Sequence, residues 1–277
     1  MRNDPLREVR EGLLHLRFPF VFVLSPIFVW GALWATGWTG RTTLGFLVVH
    51  MALYPGANAY NTAYDRDTGP IGGLARPPSV PRGLARGSAA LQAVGAALAP
   101  VVGWAFAAAY LVLWGIFTAY SHPRTRWKRS PWLSTPAIVG GQGGIGWLLG
   151  WTAGGGRWPL TGPELWSLAA ACAAVAAFYP FTQVYQLEAD AARRDRTLAA
   201  ALGVRGTLAW GGVWFLVVAL CGWMLGLPVI AAYAVVMAAL ALTVSAAASR
   251  PAPSHRAVMR VAYANSALLL GLMTAAW

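Results

Sequence analysis

The sequence has little charge for its length. Only 11% of its 277 residues are charged, whereas 57% are hydrophobic and 15 are tryptophan. A soluble domain averages about 25% charged residues, so this composition excludes an ordinary soluble fold. It predicts an all-α polytopic membrane protein in which residues 1–277 form a single integral-membrane domain.

Cysteine and histidine are also scarce. The two cysteines, Cys172 and Cys221, lie in apolar runs and are interpreted as packing residues, not as a disulfide or a metal pair. The four histidines are scattered and lack the spacing of zinc ligands. The N-terminal lead is long and mixed in charge sign, and the apolar run after it is of spanning length, so a signal peptide is not expected.

Nine apolar segments follow an amphipathic lead over residues 1–17, which is predicted to lie on the membrane surface. A spanning helix needs about 20 apolar residues, and the third and fourth segments form one longer run. Ala99-Pro100 and Gly103 near its middle predict a hairpin of two short helices, with one long kinked helix as the alternative. The segments are 18–38, 43–64, 88–103, 105–120, 132–152, 163–185, 206–225, 228–248 and 257–276.

The basic residues predict the orientation in the membrane. With the N-terminus in the cytoplasm, 19 of the 21 Lys and Arg residues are cytoplasmic, and only Arg41 and Arg157 are outside. The net charge of +12 is therefore explained by topology, and no nucleic-acid partner is expected. The prediction is a multi-pass cell-membrane protein, surrounded by lipid, with about nine transmembrane helices around a central cavity that opens to the cytoplasmic side.

Amides and carboxylates cluster at two predicted helix ends, four helices apart, on that side. Asn61 and Asp65 share a helix face at spacing i, i+4, and so do Gln186 and Asp190. Two matching polar ends indicate two halves of one site, and their oxygens are of the kind that Mg²⁺ prefers. The predicted metal ligands are Asn61, Asp65, Asp67, Gln186, Glu188 and Asp190.

A basic stretch in the loop between these ends supplies the complement. Arg126 and Lys128, the only lysine in the chain, lie close to Tyr120 and Ser121 and are predicted to bind phosphate oxygens. Acids for Mg²⁺, cations for phosphate and an apolar interior together fit a polyisoprenoid diphosphate as substrate. Three polar active-site loops are expected, at about 62–87, 121–131 and 186–205. The cations interpreted as topology signals alone are Arg129, Arg193 and Arg194.

The motifs resemble those of the UbiA superfamily of intramembrane prenyltransferases, in the family's order and over nearly the whole chain. Asn61 and Asp65 match the first motif, Asn-Asp-x-x-Asp-x-x-x-Asp, in which Thr62 and Gly69 replace two acids. The family's Arg-Pro is matched by Arg76-Pro77. The Tyr-Ser-x-Pro-x-x-(Lys/Arg)-x-Lys motif is matched by Tyr120, Ser121, Pro123, Arg126 and Lys128.

The last family motif, Asp-x-x-x-Asp, is only partly retained. Gln186 stands for its first acid, Asp190 matches the second, and Arg196-Thr197-Leu198 follows. The family pattern implies two Mg²⁺ ions bridged by diphosphate, and the lost acids weaken at least one ion site. Asp67 and Glu188 are the candidates to compensate.

The resemblance implies a Mg²⁺-dependent transferase that moves a prenyl group from a polyisoprenoid diphosphate to an aromatic or other lipophilic acceptor. Diphosphate is released. A UbiA-type terpene cyclase is the first alternative. A non-catalytic transporter or lipid-binding protein is the second, disfavoured because transporter sites lie near the bilayer midplane. The expected catalytic residues are Asn61, Asp65, Asp190 and Lys128. The expected diphosphate-binding residues are Arg66, Tyr120, Ser121, Arg126 and Lys128.

Some residues of the apolar interior are further candidates. Gln142, within a glycine-rich stretch, is interpreted as a packing amide, with a place in the cavity wall as the alternative. Trp147, Phe178 and Tyr179 are candidates to face a carbocation through their π-faces.

Overall fold

The computed structural model describes residues 5–193, 195–247 and 252–277. The fold is 81% helix, and the described residues contain no strand. The all-α prediction is therefore confirmed. Arg2, Asp4, Arg194 and Arg250, to which the sequence assigns cytoplasmic positions, lie outside the described residues.

The first half of the bundle is built from seven helices. A 3₁₀ segment, Phe22–Leu24, joins α2 to α3, and a π-helical segment, Val49–Leu53, joins α4 to α5. The helices are α1 Pro5–His15, α2 Phe18–Val21, α3 Ser25–Ala35, α4 Gly40–Val48, α5 Tyr54–Asp65, α6 Leu84–Val102 and α7 Trp104–Ser121.

The second half follows a short 3₁₀ segment, Trp127–Arg129. A π-helical segment, Val139–Ile145, joins α8 to α9, and a 3₁₀ segment, Pro180–Gln186, lies between α10 and α11. The helices are α8 Pro131–Ile138, α9 Gly146–Ala153, α10 Gly162–Phe178, α11 Leu187–Arg193, α12 Leu198–Met224, α13 Pro228–Ala247 and α14 His255–Ala276.

Seven helical stretches among the described residues are long and apolar enough to cross a membrane. The two predicted segments without a counterpart in this set are the second and the fifth, which are α4–α5 and α8–α9, and each contains a π-helical segment. The candidate spans are Leu6–Ala35, Leu84–Val102, Trp104–Ser121, Gly162–Arg193, Leu198–Met224, Pro228–Ala247 and His255–Ala276.

The long apolar run over residues 88–120 is divided as predicted. Pro100 lies within α6, and the break falls at Gly103, whose φ of 154° and ψ of 155° favour glycine. Tyr110 Oη on α7 donates to the Gln92 carbonyl on α6 at 2.8 Å, so the two helices fold back on each other. The alternative of one long kinked helix is wrong.

Glycines and tryptophans pack the bundle at the end away from the polar loops. A Cβ at Gly150 would lie 2.9 Å from the Ala32 backbone nitrogen, so α9 contacts α3 backbone to backbone. Trp30 and Trp147 both donate to Ser167, to its carbonyl at 3.0 Å and its hydroxyl at 2.9 Å. These contacts close one end of the bundle and leave the polar site at the other.

The amphipathic lead is helical, as predicted. Val9 and Leu13 of α1 are 61% and 57% exposed, so α1 presents apolar side chains at the surface of the bundle. Glu11 accepts a hydrogen bond from Ser79 Oγ at 2.5 Å, so α1 is attached to the loop that follows α5.

Candidate active site

The polar ends of α5, α7 and α11 surround one cavity of about 200 Å³. The two helix ends that the sequence singles out therefore meet, although four apolar segments separate them in the chain. The predicted site residues in the wall are Asn61, Asp65, Asp67, Tyr120, Ser121, Lys128, Gln186 and Asp190.

Two predicted site residues are exposed and are not part of the cavity wall, Arg66 and Glu188. Arg66 ends α5 in a left-handed conformation, with φ 50° and ψ 43°, and turns the chain away from the helix. Glu188 lies two residues from Asp190 on α11, and that spacing places it on the opposite helix face. Their positions do not support diphosphate binding by Arg66 or metal binding by Glu188.

Asp65 is held by two cations from the loop after α7. Lys128 Nζ forms an ion pair with Asp65 Oδ2, and their side chains are only 8% and 6% exposed. Arg126 lies behind this pair, with Nη2 3.6 Å from Asp65 Oδ1. Asp65 Oδ1 is buried and has no hydrogen-bond partner among the described residues. This carboxylate therefore retains binding capacity beside the cavity.

Arg193 gathers the other carboxylates. Its Nη2 donates to Asp190 Oδ1 at 2.7 Å, and its Nη1 pairs with Asp67. Its Nε lies 3.4 Å from Asp195 Oδ2. The interpretation of Arg193 as a topology signal alone is wrong, because its guanidinium joins acids from both halves of the site.

Sequence reasoning missed Asp195. Its side chain is 4% exposed and lies 3.4 Å from Arg126 and 3.6 Å from Arg129. Asp195 thus connects the basic loop after α7 to Arg193. Its position between arginines, five residues after Asp190, was the available signal.

Arg17 was also missed. It is buried, adopts a left-handed φ of 54°, and lies in the cavity wall. Its Nη2 donates to the Asn58 carbonyl at 2.7 Å. Within the described ranges no carboxylate lies within ion-pair distance of it. The available signal was an arginine directly before an apolar segment. The positive-inside rule already accounts for such an arginine, so no site role was predicted for it.

Burial shifts the pKa of two loop residues in the site. Desolvation lowers the pKa of Lys128, against the opposing effect of Asp65. Desolvation raises the pKa of Asp67, although Arg193 acts in the other direction. Each shift favours the neutral form of its residue.

A second, more apolar cavity of about 140 Å³ adjoins the first. Gln142 and Tyr179 lie in the walls of both cavities, so Gln142 takes the alternative position, in the cavity wall. Phe178 lines the second cavity, whereas Trp147 is fully buried against Trp151 and lines neither.

No three acidic, histidine or cysteine residues in the described part of the chain form a ready metal-binding cluster. The ion pairs explain this, because Lys128 and Arg193 already engage Asp65, Asp67 and Asp190. The site is a balanced network of acids and cations at the end of an apolar cavity.

Fold and site together define an all-helical integral membrane protein with an ion-paired polar cavity at one end of its bundle. The chain belongs to the UbiA prenyltransferase family, whose sequence profile matches residues 23–269. No curated protein sequence gives a significant match.

Solved structures share the fold. A UbiA homolog from Archaeoglobus fulgidus bound to GPP and Mg²⁺ is 19% identical, with a TM-score of 0.74 over 96% of this chain and 99% of that one. The same homolog bound to DMAPP and Mg²⁺ is 19% identical, with a TM-score of 0.70 over 96% and 98%. A digeranylgeranylglyceryl phosphate synthase is 14% identical, with a TM-score of 0.63 over 98% and 97%.

Proposed function

We propose that this protein transfers a prenyl group from a prenyl diphosphate to a lipophilic acceptor inside the membrane and releases diphosphate. The observation that supports this most strongly is the convergence of Asp65 and Asp190, from distant helix ends, on one cavity with Lys128. The acids suit a metal, the cation suits phosphate oxygens, and the apolar space behind them suits a hydrocarbon chain.

The donor set fits Mg²⁺. Asp65 has a buried oxygen without a hydrogen-bond partner. Asn61 uses its amide nitrogen on Ser121 Oγ at 3.1 Å, and Gln186 uses its own on the Pro70 carbonyl at 3.1 Å, so both amide oxygens are free to act as ligands. With Asp67 and Asp190 these residues would hold the ion, and the archaeal homolog of the same fold is described with Mg²⁺ bound. When bound, Mg²⁺ supplies positive charge that stabilises the departing diphosphate.

The protein's own cations have a matching role. Lys128 and Arg126 would bind diphosphate oxygens as the bond to the prenyl group breaks, and Arg17 would add a further cation from the cavity wall. The ion pairs with Asp65 already hold Lys128 at the cavity wall and Arg126 behind it. The apolar walls keep water from the reacting carbon.

We infer nine membrane crossings with a cytoplasmic active site. The seven candidate spans together with α4–α5 and α8–α9 give this number, and Trp277 packs on Trp34, at the end of α3 away from Arg17. This arrangement supports a topology in which the two termini lie on opposite sides of the membrane. Reporters fused to both termini should therefore report opposite compartments. Two reporters on one side would contradict this topology.

The membrane terpene cyclase is the main competing function, because the departures at Thr62, Gly69 and Gln186 alter the family's acidic motifs. Mass spectrometry of the products formed by purified protein, Mg²⁺, a panel of prenyl diphosphates and candidate acceptors decides between them. A product that contains both prenyl group and acceptor supports transfer. A product with the mass of the donor minus diphosphate supports cyclisation or elimination, and no donor consumption contradicts both.

A further inference from the structure

A groove on the outer surface of α7 lies apart from the active-site cavity. It has a volume of about 460 Å³ and shares no lining residue with that cavity. Leu111, Gly115 and Thr118 of its wall follow the spacing i, i+4 and i+7, so they lie on one face of the helix. Trp114 completes the apolar part of the wall. The groove is therefore a second concave surface, outside the site described above.

The groove has the length of one lipid acyl chain. From Leu111 to Ser121, α7 rises roughly 15 Å at about 1.5 Å per residue, which is half of the hydrocarbon thickness of about 30 Å in a bilayer. Its apolar part is open because Gly115 has no side chain, and a Cβ there would meet no atom within 4 Å. Leu111 is 54% exposed. The groove thus extends from the end of α7 to about the depth of the bilayer midplane.

His122 and Thr125 line the polar end of the groove, where α7 ends. His122 Nδ1 accepts a hydrogen bond from the Arg124 backbone N–H at 3.3 Å. The hydrogen of the neutral ring therefore lies on Nε2, and no described residue accepts it. Arg124 is exposed, and no carboxylate of the described chain pairs with it. This end offers one cation and one ring N–H group to an anion.

The carbonyl groups at the end of α7 do not oppose an anion here. Free carbonyls at a helix C-terminus carry partial negative charge. The Thr118 carbonyl accepts from the His122 backbone N–H at 2.8 Å, and the Ala119 carbonyl accepts from Thr125 Oγ1 at 2.7 Å. The His122 carbonyl accepts from the Arg126 backbone N–H at 2.8 Å. These bonds satisfy the helix end and leave the full charge of Arg124 beside the groove.

We propose that this groove binds one anionic phospholipid of the surrounding leaflet. An acyl chain lies along Leu111, Trp114 and Gly115, and the phosphodiester lies at Arg124 and His122. Basic residues beside a transmembrane helix attract anionic lipid headgroups. The apolar part of the groove favours an anion that carries a hydrocarbon chain. The inference goes beyond the proposed function and does not depend on it.

A lipid in this groove would lie behind the active site. The His122 ring contacts the Tyr64 ring edge to face, with centroids 5.7 Å apart, and Tyr64 directly precedes Asp65 on α5. The same end of α7 is attached to α5 by Asn61 Nδ2, which donates to Ser121 Oγ at 3.1 Å. A bound lipid should therefore restrain the junction of α5 and α7 and raise the temperature of thermal unfolding.

The test uses the full chain, delipidated and purified in a non-ionic detergent at low ionic strength. Native mass spectrometry measures the dissociation constant of the first bound lipid, for dioleoyl phosphatidylglycerol and for dioleoyl phosphatidylcholine. Wild-type protein should bind the anionic lipid about fivefold or more tightly, because one arginine near an anionic lipid surface contributes about that factor. A phosphatidylglycerol with a photoactivatable diazirine on its acyl chain should crosslink to residues 111–125.

Two variants test the two ends of the groove. Arg124→Gln should reduce the preference for the anionic lipid about fivefold, and Gly115→Phe, which fills the apolar part, should remove the crosslink. Arg205→Gln is the matched control for charge, since Arg205 is an exposed arginine on α12. Gly271→Phe is the matched control for size, since a Cβ at this exposed glycine of α14 also meets no atom within 4 Å. Both controls should keep wild-type binding, and Gly115→Leu serves if Gly115→Phe does not fold.

Equal binding of the two lipids by wild type would overturn the proposal. A preference unchanged in folded Arg124→Gln, or a crosslink that persists in a folded Gly115 variant, would overturn it as well. Inorganic phosphate is titrated separately, and binding as tight as that of phosphatidylglycerol would indicate a simple anion site and contradict the lipid assignment. No prenyl donor is present in these experiments, so their failure leaves the proposed function intact. A protein without donor turnover would likewise leave the lipid site intact.

Discussion

Lys128 and Asp65 form a buried ion pair at the cavity wall, between a loop after α7 and the C-terminal end of α5. The pair explains how an acidic site remains stable before substrate arrives, because each charge neutralises the other. It also implies an exchange of partners. Diphosphate oxygens would draw Lys128 away and leave Asp65 free for a metal ion, so metal and substrate should bind together.

Lys128→Ala should impair donor use far more than Arg129→Ala. Removing one partner of a buried, hydrogen-bonded charge pair costs about 2–5 kcal/mol, whereas exposed pairs contribute below about 1 kcal/mol. Arg129 is 59% exposed and reaches Asp195 only at 3.6 Å. Measured kcat/KM for the prenyl diphosphate, with thermal unfolding to verify folding, gives the comparison.

Lys128→Arg serves as the conservative control for this prediction. It should retain part of the activity, since charge is kept while the hydrogen-bond geometry changes. Equal and mild effects at residues 128 and 129 would mean that the basic cluster sets topology and does not bind substrate.

Asp67 should make metal binding sensitive to acid. Because burial raises its pKa, the folded protein holds this proton more readily than the unfolded chain does. Its contribution to stability is therefore full at low pH and is lost as pH rises through the raised pKa. Metal binding needs the ionised form of Asp67. The affinity for Mg²⁺, measured with the slowly reacting donor analogue geranyl thiolodiphosphate present, should therefore fall as pH decreases through that same range.

Calorimetric titration of Mg²⁺ across pH, in wild type and Asp67→Asn, measures this effect. The variant should bind Mg²⁺ more weakly at neutral pH, and its affinity should begin to fall only at lower pH. An unchanged pH profile in Asp67→Asn would assign the acid sensitivity to another carboxylate of the site.

The sequence predicts those features of the fold and the site that depend on residues close together in the chain. Apolar length and the Gly103 break are local properties, and both helices of the hairpin are present where they predict them. The i, i+4 pairs likewise place Asn61 and Gln186 in the cavity. Glu188 is exposed on the other face of α11, and this position follows from the helix geometry and not from composition.

Other features depend on contacts between distant segments. Arg193 connects acids from both halves of the site because the loop after α5 brings Asp67 next to it. No local sequence pattern predicts the path of that loop. The positive-inside rule already accounts for the charge of Arg17. Its neighbours in the sequence therefore do not show whether this arginine is buried or exposed. The amide oxygen of Gln183 is buried without a hydrogen-bond partner among the described residues, and this property depends on the helices packed around it.

Thr62→Asp restores an acid of the family motif and should nevertheless destabilise the protein. Thr62 is 1% exposed, donates to the Asn58 carbonyl at 3.1 Å, and is not part of the cavity wall. A carboxylate there would be buried and could not donate to the Asn58 carbonyl, so two acceptors would face each other even with Arg17 on the same carbonyl, at a cost on the order of 3 kcal/mol. Thr62→Val is the control for loss of the hydroxyl and should cost far less. Thermal unfolding compares the two, and a Thr62→Asp protein with wild-type stability and tighter Mg²⁺ binding would contradict this placement.

Asp65→Asn and Asp190→Asn should each reduce turnover at saturating Mg²⁺ by at least about two orders of magnitude, and the double variant should be scarcely worse, because residues that act as one unit are not additive. The two carboxylates come from helix ends far apart in sequence yet line one cavity. Each alone is a poor Mg²⁺ site, since the ion keeps its waters until substrate phosphates complete its shell. Glu188→Gln is the matched control on the outer face of α11 and should retain activity. A near wild-type rate in either folded Asn variant would contradict the two-ended metal site and favour diphosphate binding by the cations alone.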